Sequence, residues 1–350
     1  NGLNDTTIAN PMAFPLDTTN YIVTGFGANL CSNTDTVQII VNDEVPINPG
    51  TDTTICVGDT VMLGGVPTSP NGTSYSWFPN GGTLSNDTIA NPLAFPIVTT
   101  TYYIVATNDT CTAIDSVTIT VNQLPIINAG VDVSICFGDS TQLNANGGVN
   151  YLWQPGGMLN DSTISNPIAF PSNTTEFIVF GTDINGCSAS DSVIVTVNAL
   201  PAITTNSDTA VCIGTCAQLN AIGGTLYSWS PGGTLSDSTI SNPIACPVVT
   251  TTYIVTVTDG NSCTDTASVT ITIDPLPIVN AGLDTSLCIG DSIQLNASGA
   301  LIYVWTPNTN ITDTGISNPF VFPTVTTTYF VTGTDGNGCL NSDSVIITVN

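Results

Sequence analysis

Three observations predict an all-β chain of tandem two-layer sandwiches. The sequence repeats itself every 76–80 residues, its apolar residues alternate with a period of two, and one Trp recurs inside each full copy. Asp52, Asp132, Asp208 and Asp284 open four copies, spaced by 80, 76 and 76 residues. A parallel β-helix would need a repeat of roughly 20–30 residues, which this period excludes.

The elements follow in one order. Each copy begins with an aliphatic-x-Cys segment such as Thr209-Ala-Val-Cys212, stopped by a Gly-Asp or Gly-Thr turn. A short apolar pair comes next, then Tyr-x-Trp, which places Trp77, Trp153, Trp229 and Trp305 at mid-copy. A Gly/Asn/Ser turn leads to Ile-Ala/Ser-Asn-Pro, with pairs at Asn91-Pro92, Asn166-Pro167, Asn242-Pro243 and Asn318-Pro319. After a Thr-rich stretch, two alternating runs close the copy: Tyr253-Ile-Val-Thr-Val-Thr-Asp259 and Ser268-Val-Thr-Ile-Thr-Ile-Asp274 in the third. Alternation of this kind turns Val and Ile to one face and Thr to the other, as a half-buried strand requires. No helical period appears. About seven short strands around one central Trp describe an immunoglobulin-like sandwich.

The copies are 51–130, 131–206, 207–282 and 283–350, and 1–50 is the C-terminal half of a further one. Asn10-Pro11 marks that half. Half a sandwich cannot bury its own core, so an upstream half is expected, and a chain opening at Asn1 reads as a mature protein or an internal fragment. Junctions such as Asn122-Gln-Leu-Pro-Ile-Ile-Asn-Ala-Gly130 are short, apolar and Pro-stiffened, and predict a semi-rigid rod. With sandwiches roughly 35–45 Å long, four would reach on the order of 150 Å.

Composition removes most chemistry. The chain holds 26 Asp+Glu and no Lys, Arg or His, for a net charge of -26. Without cations no phosphate backbone is neutralised, so nucleic acid is excluded as a partner. P-loops, pyridoxal Schiff bases, Ser-His-Asp sites and His-based zinc sites all lack an essential residue. Side-chain salt bridges and Lys-Asn isopeptide staples are impossible. A carboxylate pair could still serve a glycosidase, but the only Glu residues, Glu44 and Glu176, do not recur between copies. The chain therefore reads as non-enzymatic. Calcium is the one cofactor whose ligands survive, with Asp132 and Asp183 as the carboxylates that could meet at domain ends. No dense Asp-x-Asp-x-Asp loop is present, which favours Asp capping of turns. No apolar stretch is long enough for a membrane helix, so no membrane insertion of this region is expected.

Eleven Cys without zinc spacing point to an oxidising compartment. Each full copy has one Cys in its opening strand and one in its last hairpin. The pairs expected within copies are Cys56–Cys111, Cys136–Cys187, Cys212–Cys263 and Cys288–Cys339, tying the first strand to the last hairpin near one end of the sandwich. The third copy adds Cys216, where its siblings have Thr60, Ser140 and Ser292. It also adds Cys246, where they have Phe95, Phe170 and Phe322. Two coincident departures predict a bridge between them. Cys31 is left over, with its partner expected in the missing upstream half.

Tyr227-Ser-Trp-Ser-Pro231, Ile240-Ser-Asn-Pro243, Thr250-Thr-Thr-Tyr253 and Thr334-Asp-Gly-Asn-Gly-Cys339 resemble the tandem Ig/PKD-like repeats of giant Bacteroidetes cell-surface proteins. The resemblance covers the whole chain and implies type IX secretion and surface display, as in gliding-motility adhesins. Asp-Ser/Thr steps followed by a small or aliphatic residue, or by Thr, resemble the O-glycosylation sequon of these bacteria. That resemblance makes Thr6, Thr88, Ser116, Ser162, Ser192, Ser238 and Ser344 candidate glycosylation sites. Turn capping by Asp accounts for the same pattern.

The expected function is an extracellular stalk or filament shaft that projects a tip, or mediates surface attachment and gliding-type motility. In the alternative, the repeats themselves bind surface polysaccharide, or neighbouring copies polymerise laterally into a multi-chain filament. The direct partners are the upstream and downstream repeats of the same chain. A core Trp is the ordinary reading of Tyr-x-Trp in a sandwich, and a sugar platform the special one.

Overall fold

The computed structural model describes residues 2–42, 45–66, 68, 74–108 and 111–350. Glu44 lies outside them. The chain forms two compact units, each described by itself: Asn1–Asp132, Thr141–Phe170 and Glu176–Ile194 in one, Val133–Ser140, Pro171–Thr175 and Val195–Asn350 in the other. The one helical element among the described residues is the 3-10 turn Gly156–Met158, and no helix is long and apolar enough to cross a membrane.

The third repeat lies wholly inside the second unit and shows the pattern. A four-stranded sheet runs in the order Thr209–Cys212, Thr264–Asp274, Thr251–Thr258, Leu226–Ser230. Facing it, Ala217–Gln218 pairs with Ile244–Ala245 in a sheet only two residues deep. Among the described residues six strands recur in every full repeat, against about seven expected. The third repeat adds the short pair Thr204–Thr205 and Ala221–Ile222.

The alternation sets the layers. Tyr253, Val255, Val257, Val269 and Ile271 face inward and close over Trp229, Leu219 and Ala245. The intervening Ile254 and Ser268 face outward. Trp305 with Tyr329, Val331 and Ile347, and Trp77 with Tyr102, Ile104 and Ile119, build the same core in the fourth and first repeats. The leading half-repeat carries the hairpin Thr19–Phe26 and Ser32–Ile39 without an opposing sheet. Its Val23 is 64% exposed, while Ile104 at the matching position is fully buried. The difference is the missing layer, because both strands have the same alternation.

Candidate functional site at the junctions between repeats

Three devices join the strands at each end of a repeat, and all follow from the recurring motifs. The first is the opening Asp. The carboxylates of Asp52, Asp132, Asp208 and Asp284 each accept an N–H from the closing strand, at Thr118, Ile194, Thr270 and Ile346, over 2.7–2.9 Å. This sews the opening strand alongside the closing strand, in parallel. In the third repeat the register runs from Thr209 opposite Ile271 to Cys212 opposite Asp274.

Parallel pairing decides the cysteines. The last-hairpin cysteine Cys263 stands just before Thr264, at the start of the closing strand, whereas Cys212 lies opposite that strand's last residue. About eleven strand residues at ~3.3 Å separate the two levels by roughly 36 Å, against the ~7 Å limit for a disulfide. The cysteines of one repeat therefore occupy opposite ends of it. The intra-repeat pairs Cys56–Cys111, Cys136–Cys187, Cys212–Cys263 and Cys288–Cys339 are excluded by this geometry.

The bridges run between repeats instead: Cys56–Cys187, Cys136–Cys263 and Cys212–Cys339, each with Cα atoms 5.5 Å apart. In every case the opening-strand cysteine of one repeat takes the last-hairpin cysteine of the next, and both partners belong to one compact unit. The loops closed are 127–131 residues long. By chain entropy such a loop contributes up to about 5 kcal/mol. Cys31, Cys111 and Cys288 are unpaired in this structure.

The second device holds each receiving cysteine in place. Asp183, Asp259 and Asp335 sit in the hairpin turns, and one carboxylate oxygen of each accepts two N–H groups. These come from Asn185 and Cys187, Asn261 and Cys263, and Asn337 and Cys339. The sulfur-bearing residue is thus held by its own turn as well as by the bridge.

The third device is the linker. Asn128 and Asn146 exchange two backbone hydrogen bonds, as do Asn280 and Ser298, so the linker is an added strand of the repeat that follows it. Ile127, Ala129, Val279 and Ala281 are buried there. Asp191 and Asp343 each accept the backbone N–H of a linker alanine, Ala129 and Ala281. The linker backbone passes so close to Gly147 and Gly299, both at positive φ, that a Cβ at either would overlap the carbonyl of Ile126 or Ile278.

The remaining candidates fall into place by burial. All four Trp residues are buried, and each indole N–H donates to a backbone carbonyl at 3.0 Å, at Ile89, Ile164, Ile240 and Ile316. No indole face is open for a sugar. Asp132 and Asp183, the calcium candidates, are engaged in the separate backbone contacts above. Among the described residues no group of three or more His, Cys, Asp or Glu could hold a metal. Glu176 faces outward on its strand. Cys216 and Cys246 are joined, with Cα atoms 4.3 Å apart, beside the Ala217–Ala245 pair. Their sibling residues Phe95, Phe170 and Phe322 are 38–50% exposed, so this bridge replaces a surface contact.

Of the glycosylation candidates, Thr6, Thr88, Ser116 and Ser192 are exposed, and Ser162, Ser238 and Ser344 are half-buried. Turn chemistry operates at the same steps. Asp5, Asp161 and Asp237 accept both the N–H and the hydroxyl of the Thr two residues on, and these bonds hold their carboxyls below the usual range.

Asp343 gives the junction a pH dependence. The Ala281 N–H, then the Ser344 N–H, lower its pKa. A carboxyl with a depressed folded pKa contributes stability above its unfolded value, near 3.9, and loses it as pH falls through the folded value. Asp343→Asn is expected to melt below the parent at pH 6, by about 1 kcal/mol or less because the group is close to solvent. That gap closes below about pH 4. A gap independent of pH between 6 and 2.5 would separate Asp343 from the linker contact.

The comparisons with known proteins bear on the same architecture. A family described as "Ig-like domain CHU_C associated" matches residues 44–125, the first full repeat with the linker leading into it. The chain is a tandem of immunoglobulin-like domains. Similar solved structures include the N-terminal eight Ig domains of Down syndrome cell adhesion molecule, at 16% identity and TM-score 0.37. That match covers 97% of this chain and 54% of the other, so the chain spans about half the length of that structure. A Ca2+-stabilized adhesin of an Antarctic bacterium matches at 13% identity and TM-score 0.32, over 87% of this chain and all of that one. Human desmocollin-1 ectodomain matches at 10% identity and TM-score 0.25, over 97% and 87%. No curated protein matches by sequence.

Proposed function

We propose that the chain is a section of the shaft of a long extracellular surface protein, non-catalytic, which holds a distal part away from the cell. The observation that carries this reading is the set of bridges Cys56–Cys187, Cys136–Cys263 and Cys212–Cys339, which spend the covalent cross-links on continuity between repeats. Bridges of this kind persist in an oxidising compartment. The uniform negative charge keeps such a shaft soluble and discourages lateral collapse. In the finer form of the reading, the protein leaves the cell by type IX secretion, serves attachment or gliding-type motility, and carries O-glycans at some exposed Asp-Thr and Asp-Ser steps.

The bridge register also assigns the unpaired cysteines. Cys288 is an opening-strand cysteine and fits the last hairpin of a following repeat. Cys31 and Cys111 are last-hairpin cysteines and fit opening strands of preceding repeats. We take the partner of Cys31 to lie one repeat earlier than the half-repeat to which it belongs.

A second reading, lateral assembly of chains, is favoured by apolar pairs on the outer sheet face, such as Leu152 opposite Phe180 in the second repeat. The charge opposes it. Imaging the native surface structure at repeat resolution tests both. A single file of domains is expected, and a multi-chain bundle would replace the shaft reading with the assembled filament.

A further inference from the structure

The three bridges overlap along the sequence: each closes a loop that contains one end of the next. Overlapping loops create covalent short cuts. From Cys56 the bridge passes directly to Cys187, the backbone then runs about 25 residues to Cys212, and the second bridge passes directly to Cys339. Along the backbone alone the same two cysteines lie about 283 residues apart.

We infer that this covalent route is the load line of the protein, and that it makes the bridged region inextensible under tension whether or not the sandwiches stay folded. The 25 residues that carry the load are already drawn out. They comprise the closing strand Ser188–Asn198, the linker with the short strand Thr204–Thr205, and the opening strand Thr209–Cys212. Fully extended they reach about 90 Å, and the strands among them already rise at ~3.3 Å per residue. Almost no slack remains to release.

The segments between the bridged ends, Val57–Gly186 and Ile213–Gly338, lie off this route, and they contain all four core Trp residues. Tension therefore runs along the closing and opening strands, the buried Val193 and Val195 included, and bypasses the Trp residues. The cysteine placement matters for this result. Bridges within each repeat would give a route of about 25 residues per repeat instead of per two repeats, leaving roughly 50 Å of slack in each. The inference rests on the covalent connections and stands apart from the shaft reading. A chain of another function with these bridges would behave identically.

Single-molecule pulling of the whole oxidised chain from its two ends tests it, with non-reducing peptide mapping on the same preparation. The roughly 55 residues before Cys56 straighten first, and after that no unfolding step is expected. With reductant, steps of about 22 nm per repeat are expected. Replacing Cys212 and Cys339 together by Ser lengthens the shortest route between Cys56 and Cys339 from about 25 to about 127 residues, through Cys136–Cys263. A release of about 35 nm should then appear without reductant. Steps of about 22 nm in the oxidised, bridged chain would overturn the inference. Steps of about 5 nm would do the same by showing bridges closed within repeats.

Discussion

Truncating Trp229 to alanine is expected to cost the third repeat about 3–5 kcal/mol. The ring is buried against Leu219, Ala245 and Val255, and nothing around it can collapse into the space without pulling the two sheets together. The substitution also leaves the Ile240 carbonyl without its indole donor. A domain of this size has a total stability of roughly 4–11 kcal/mol, so a large share of it would be lost. Hydrogen exchange in the intact chain reads the effect locally. Protection of the Thr251–Thr258 and Thr264–Asp274 amides should fall by about a hundredfold or more. Trp229→Phe should retain most of it, since the ring still fills much of the site. A loss under about tenfold in the alanine variant would mean that the core does not depend on the ring.

The second large effect separates two glycines of the fourth repeat with nearly the same backbone. Gly290 and Gly299 have φ of +93° and +91°, yet a Cβ on Gly290 meets nothing, while one on Gly299 runs into the Ile278 carbonyl. Gly290→Ala should cost only the left-handed penalty, about 1–2 kcal/mol. Gly299→Ala adds a backbone overlap that no side-chain rotation relieves, and should exceed 3 kcal/mol while freeing the linker. Exchange at the Asn280 and Ser298 amides, which bond across the same contact, would rise in the second variant alone. Equal losses in the two would show that the linker yields and does not brace the domain.

Much of this architecture is legible in the sequence because it is local. A period-two run of Val, Ile and Thr fixes which face of a strand is buried, and a single Trp between Gly-rich turns marks the core. Cys216 and Cys246 were also legible. Two departures in one copy, at positions that other copies fill with Ser or Thr and Phe, signal a shared contact. The shallow sheet of two-residue strands was less legible, since an apolar pair looks alike in a strand and in a turn.

The sequence by itself determined that this protein is a string of sandwiches with no cations and with cysteines at two places in each. The tertiary structure alone decided how the recurring opening-strand and last-hairpin cysteines meet. Hairpin pairing is antiparallel and local, so spacing reveals it. The opening strand joins the closing strand in parallel, across more than sixty residues, through contacts such as Asp208 to Thr270. Direction, and not spacing, carries Cys212 to the far end of its repeat and into reach of Cys339. A strand's direction in a sheet is set by which edge it joins, and that choice is made by packing of the whole domain.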